Sequence, residues 1–168
     1  MKSSDVISIA TSYLGKTETP NNSGFKDSVF QKKMQEVGWV KGYAWCSYFC
    51  ELVYKEASCE RTVTTLLAKL FSGSATATFK NFDLDKTFKT GKEPKIGALV
   101  IFRYGNGWQG HAAIVTEVVD KNTIRTIEGN TNNLGSREGI VVAKKTRLIN
   151  KPFTSTGLNF VGFVYLSE

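Results

Sequence analysis

The period of the apolar residues changes midway along the chain, and that change restricts the fold more than any other feature. Val6, Ile9, Ala10, Tyr13 and Leu14 recur at helical spacing and predict a helix over 5–14, with Ser4 or Asp5 as cap and Gly15 as stop. Val29, Phe30, Met34 and Val37 predict a second helix over 26–37, ended by Gly38. The stretch "GYAWCSYFCELVYKEA" (42–57) predicts a third over 45–57, apolar at 46, 49, 50, 53 and 57. Val63, Leu66, Leu67 and Leu70 predict a fourth over 62–71. The intervening "KTETPNNSG" (16–24) is a turn-rich loop, and no element is assigned between 71 and 97.

From residue 97 onward the pattern is one of short Val- and Ile-rich runs. "GALVIFRY" (97–104), "HAAIVTEVV" (111–119), "TIRTIEG" (123–129), "GIVVAKKTRL" (139–148) and "FVGFVYLS" (160–167) read as strands, separated by turn signals such as "YGNGWQG" and "DKNT". Helices first and strands afterwards predict an α+β fold, N-terminal helices packed on a five- to six-stranded antiparallel sheet. Without repeats, low-complexity tracts or linkers, residues 1–168 are expected to form one domain.

No apolar run approaches the roughly 18 residues of a membrane span. The amphipathic N-terminus "MKSSDVISIATSYLG" has no continuous hydrophobic region, so synthesis in the cytoplasm without a signal peptide is expected. The 22 Lys and Arg against 15 Asp and Glu leave a net charge of +7, which favours an anionic partner. The basic residues are scattered, as in Lys32-Lys33 and Lys144-Lys145, and form no long arm. A solvated surface explains them as well as a functional field does.

Cys46, Cys50 and Cys59 make an odd set, two of them on one helix face, so reduced thiols are expected. Together with His111 they lack the close pairs of a zinc ribbon, and no metal or other cofactor is expected. Free cysteine is commonly just a small core residue. Position nevertheless separates the three. Cys46 alone falls in the first turn of its helix, where unpaired backbone N–H groups lower a thiol's pKa and can hold an oxyanion. The preceding residues "GYAW" offer no side-chain cap.

A thiolate needs a base, and His111 is the one histidine of the chain. It opens a predicted strand, directly after Gly110. A hairpin through "DKNT" returns the end of the next strand, "TIEGNTNN", beside it. Glu128 and Asn130 share a face there by strand alternation, and either can accept the imidazole N–H. A strand end followed by a turn also accounts for "EGN".

Taken together, these pieces resemble the cysteine/histidine-dependent amidohydrolase/peptidase (CHAP) domain. The matching stretches are "ATSYLGKTETPNNSG", "GYAWCSYFCELVY", "PKIGALVIF", "GHAAIVTEV" and "IEGNTN", in the family's order over residues 10–132. The resemblance implies a papain-like α+β fold that cleaves an amide bond of peptidoglycan, either N-acetylmuramoyl-L-alanine or a bond within stem peptides and cross-bridges. It makes Cys46 the nucleophile and His111 the base, with Glu128 and Asn130 completing the catalytic set. Trp45 and Trp108 flank these residues in sequence and are expected to line a substrate groove.

Two departures stand out. Ala98 replaces the Asp of the family's "GD", and no acidic calcium-binding loop precedes the cysteine. The expected partner is bacterial peptidoglycan, met outside the cytoplasm by a monomeric phage lysin or antibacterial effector. The effector setting adds an immunity or inhibitor protein. Neither nucleic acid nor membrane insertion is expected. The alternatives are a papain-like protein isopeptidase or acyl transferase, and a non-catalytic wall-binding module.

Overall fold

The structure, a computed structural model, describes residues 1–131 and 139–168. The helices are α1 (Ser3–Ser12), α2 (Ser28–Glu36), α3 (Cys46–Ala57), α4 (Arg61–Leu70) and α5 (Ala75–Asp85). The strands are β1 (Thr90–Gly91), β2 (Leu99–Tyr104), β3 (Gly110–Val118), β4 (Thr123–Thr131), β5 (Val141–Leu148) and β6 (Leu158–Val164). They form one sheet in the order β1-β6-β2-β3-β4-β5, and every pairing is antiparallel. The fold is the α+β arrangement expected from the change of period.

The central helix is α3. Beyond the predicted stripe it also buries Ser47, Glu51, Leu52 and Tyr54, because α1, α2, α4 and α5 cover the flanks that the sheet leaves open. Its inner side rests on β3 and β4. Strands β2 and β3 are buried on both faces: Leu99, Ile101, Ala112 and Ile114 face the helices, while Val100, Phe102, Ala113 and Val115 belong to a second cluster behind them. That is why "ALVIF" and "HAAIV" read as continuous apolar runs instead of alternating ones.

Two local features differ from expectation. Neither Ser4 nor Asp5 caps α1; Lys2 is the N-cap, and the Ser3 N–H donates to the Glu168 carbonyl at 2.9 Å. Helix α5 lies in the unassigned stretch. Its inward residues are Ala75, Thr78 and Phe82, and a buried threonine conceals the apolar stripe from a hydropathy pattern. Ser74 caps it, accepting from the Ala77 N–H, and Lys86 ends it in the left-handed conformation.

Candidate active site

Helix α3 starts at Cys46, and its N-cap, Trp45, makes no side-chain capping bond. The first-turn donors therefore remain available to the side chain of Cys46 and to whatever lies before it. The Ser47 N–H donates to the Cys46 sulfur, as does the Ala112 N–H from β3, and the His111 imidazole hydrogen-bonds the same atom. Burial pushes this thiol up, but the bond to His111, its charge and the two backbone donors outweigh burial and bring the pKa below the ordinary thiol value.

His111 lies one residue into β3, which pairs with β4 in the predicted hairpin (Ile114 opposite Ile127). The hairpin brings Glu128 to the imidazole, Nε2 to Oε2 at 2.8 Å. With Nε2 engaged, Nδ1 is the nitrogen left to face the sulfur. Burial works against charging this ring, yet the Glu128 charge and the bonds to Cys46 and Glu128 raise its pKa to about 9. A depressed thiol and an elevated imidazole together favour a thiolate–imidazolium pair at neutral pH.

Glu128 is fully buried and fully engaged. Besides His111 it accepts from Thr126 Oγ1 at 2.6 Å, from Arg147 Nε at 2.8 Å and from Arg147 Nη2 at 2.5 Å. Burial alone would keep this carboxyl neutral; His111 and the Arg147 fork hold its pKa well below the usual carboxylate range. Thr126 and Arg147 were not among the expected site residues. Thr126 was legible by alternation, two residues before Glu128 on the same strand face. For Arg147 the only signal was that a buried carboxylate needs a cation, and "KKTRL" offers three.

Two glycines let the parts approach this closely. A Cβ on Gly129 would stand 2.6 Å from the Trp45 ring and 2.7 Å from Phe49, so β4 can lie against the start of α3 only with glycine there. One on Gly110 would stand 2.6 Å from the Phe102 carbonyl oxygen. The "G" of "EGN" and of "GH" thus answers to packing.

Asn130 does not share the orienting role with Glu128. The β4–β5 register shifts between Glu128 and Thr131, and Asn130 takes a positive φ of 53°. The alternation that would have kept it on the Glu128 face is broken, and it lies on the wall of a cleft of about 570 Å³. Cys46, His111 and Trp108 line the same cleft. Trp108 is 74% exposed at its edge.

Trp45 is a correction: it lines no groove. It is completely buried, its Nε1 donates to Glu18 Oε2 at 3.0 Å, and Phe25 and Phe49 meet its ring edge-on. The pattern placed it next to Cys46 in sequence, but the N-cap backbone turns its side chain into the core. Trp45→Ala is expected to cost roughly 3–5 kcal/mol in chemical denaturation. Trp108→Ala should leave the unfolding midpoint nearly unchanged and weaken substrate binding.

Cys50 lies one turn below Cys46, fully buried, its thiol pushed well above the ordinary value by burial and by the charges of Cys46 and Glu128. Cys59 is exposed beyond the end of α3. Among the described residues no cluster of His, Cys, Asp and Glu has a metal-binding arrangement.

No curated protein and no solved structure matches the chain. The family model of the CHAP domain matches residues 38–130. The match leaves out the N-terminal "ATSYLGKTETPNNSG" and also Arg147, but takes in the cysteine helix, the histidine strand and the "EGN" strand end. Because it spans more than half of the chain, this protein belongs to the CHAP domain family and shares its general character, that of an amidase- or peptidase-type hydrolase associated with peptidoglycan.

Proposed function

We propose that this protein hydrolyses an amide bond of bacterial peptidoglycan, with residues 1–168 acting as one catalytic domain. The observation that carries the reading is the unbroken chain of contacts from Cys46 through His111 to Glu128 at the wall of an open cleft. A structural cysteine has no use for a paired imidazole, and a wall-binding module has no use for the set.

The Cys46 thiolate attacks the amide carbonyl carbon, forming a C–S bond while the carbonyl electrons move to oxygen. That oxyanion develops at the N-terminus of α3, where the Cys46 backbone N–H is a donor. His111, protonated, gives its proton to the leaving nitrogen as the C–N bond breaks. It then takes a proton from water, which attacks the thioester and releases the thiolate. Glu128 holds the imidazole in one tautomer and stabilises its charged form, and Arg147 and Thr126 keep Glu128 in place. Asn130 and Trp108 contact substrate from the cleft wall.

The substrate bond is N-acetylmuramoyl-L-alanine or one within the stem or cross-bridge, cut by a phage lysin or an antibacterial effector. Only the effector setting calls for an immunity protein. Purified protein incubated with sacculi should release soluble muropeptides. Mass spectrometry of the products then names the bond: a free lactyl carboxyl with a new L-alanine amine marks the amidase, and amines arising inside the peptide mark the endopeptidase. Folded protein that leaves sacculi of several wall chemistries intact would overturn the proposal.

A further inference from the structure

Trp108 reaches the cleft from a turn whose own sequence leaves it loose. Strands β2 and β3 close where the Tyr104 N–H donates to the Gln109 carbonyl at 2.9 Å, and residues 105–108 project beyond that rung. Gly105, Asn106 and Gly107 lead into Trp108, and two glycines in three residues widen the backbone's choice of conformation. The turn's own bond, from the Gly107 N–H to the Tyr104 carbonyl at 3.0 Å, stops short of Trp108. Contacts from elsewhere restrict it. On one side the Gly105 N–H donates to the Gly157 carbonyl at 3.0 Å, which joins the turn to the β5–β6 loop. On the other, Thr76 Oγ1 of α5 donates to the Trp108 carbonyl at 2.9 Å.

Thr76 belongs to the other wall. It is the second residue of α5, directly after Ser74 and Ala75, which line the cleft together with Cys46. A carbonyl can only accept, so the one hydroxyl proton of Thr76 goes to Trp108. The Ser74 hydroxyl, 3.1 Å away, therefore donates to Thr76 Oγ1, while it accepts from the Ala77 N–H as the cap of α5. The Thr76 methyl lies against Gly110, where a Cβ would stand 2.9 Å from it. The hydroxyl thus ties the turn that carries Trp108 to the helix start that faces the nucleophile.

Building on the hydrolase reading above, we infer that Thr76 is a positioning residue: its hydroxyl holds the β2–β3 turn at the cleft, so that Trp108 is presented to substrate already ordered. The entropy of fixing the turn is then lost on folding and not on binding. Thr76 acts on binding, through Trp108, and takes no part in bond breaking.

Thr76→Val keeps the shape of the side chain and removes the hydroxyl, whereas Thr76→Ser keeps the hydroxyl. In sacculus titrations Thr76→Val should raise the apparent KM about three- to tenfold, the size expected of one hydrogen bond, with kcat held within about twofold. Thr76→Ser should return both to the wild-type range. In a Trp108→Ala background Thr76→Val should add no further loss. Trp39 and Trp45 are buried, so Trp108 is the exposed fluorophore of the three, and time-resolved anisotropy follows its motion without substrate. Thr76→Val should enlarge the fast depolarisation, and Thr76→Ser should not. Wild-type KM and anisotropy in Thr76→Val, a fall confined to kcat, or a full added loss over Trp108→Ala would overturn the inference and leave the hydrolase reading standing. A wild type that digests no sacculi overturns that reading, and the anisotropy alone then upholds or overturns the tie.

Discussion

Cys46→Ser is expected to abolish muropeptide release, by roughly a thousandfold or more, while the folded protein keeps its unfolding midpoint. The expectation rests on the surroundings of the sulfur. His111 and the N–H groups of Ser47 and Ala112 stabilise a thiolate, and a hydroxyl at the same place stays protonated. Cys50→Ala should show the reverse pattern: activity retained, and stability reduced by about 1 kcal/mol for the lost packing. Alkylation followed by peptide mapping separates the three thiols without any substrate. Cys46 should react at pH values where Cys50, buried and elevated, stays unmodified. A fully active Cys46→Ser, or a dead Cys50→Ala that remains folded, would sink the assignment.

Glu128→Gln is the second large effect, with an expected fall in kcat/KM of roughly a hundredfold or more. The pH profile carries the sharper information. Glu128 is the main support for the raised pKa of His111, about 9, so the alkaline limb of wild-type activity is expected near that pH. Without the carboxylate that limb should move to lower pH. An unmoved limb would mean that Glu128 does not set the protonation of His111.

Stability follows the same linkage. The contribution of His111, with its raised pKa, is complete below its ordinary value of 6.5 and lost as pH rises through about 9. That of Glu128, with its lowered pKa, is present above the ordinary carboxyl value of 4.5 and lost on acidification. The variant should therefore show a flatter stability profile at both ends. Arg147→Met removes the other charge beside Glu128 and should destabilise the fold by about 3 kcal/mol, because the carboxylate it leaves behind is wholly buried.

Much of this site was legible before any coordinates. The stripe of α3 pointed to a buried helix, and the uncapped "GYAW" distinguished Cys46 from Cys50, because a first-turn position is a local property of sequence. The hairpin through "DKNT" was equally local. It predicted that the end of β4 returns to His111, since a tight turn sets the partner of every residue that follows it. Where prediction failed, a non-local contact had intervened. Helix α5 has its stripe built around a threonine, and Trp45 is drawn inward by Glu18 and Phe25 of a distant loop and by Phe30 of α2.

The choice between Glu128 and Asn130 shows the division most clearly. Alternation assigned both to one face, and only the displaced β4–β5 register, with Asn130 at positive φ, parts them. Arg147 arrives from a strand whose pairing with β4 no short turn determines. The sequence by itself determined the α+β layering, the place of Cys46 at the start of its helix and its only imidazole partner, because periodicity, helix ends and hairpins are short-range. The tertiary structure alone decided that Glu128 and not Asn130 bonds the histidine, which cation holds that carboxylate and which tryptophan lies at the cleft. Those depend on the register of strands far apart in the chain, and one residue of slip turns a side chain to the other face.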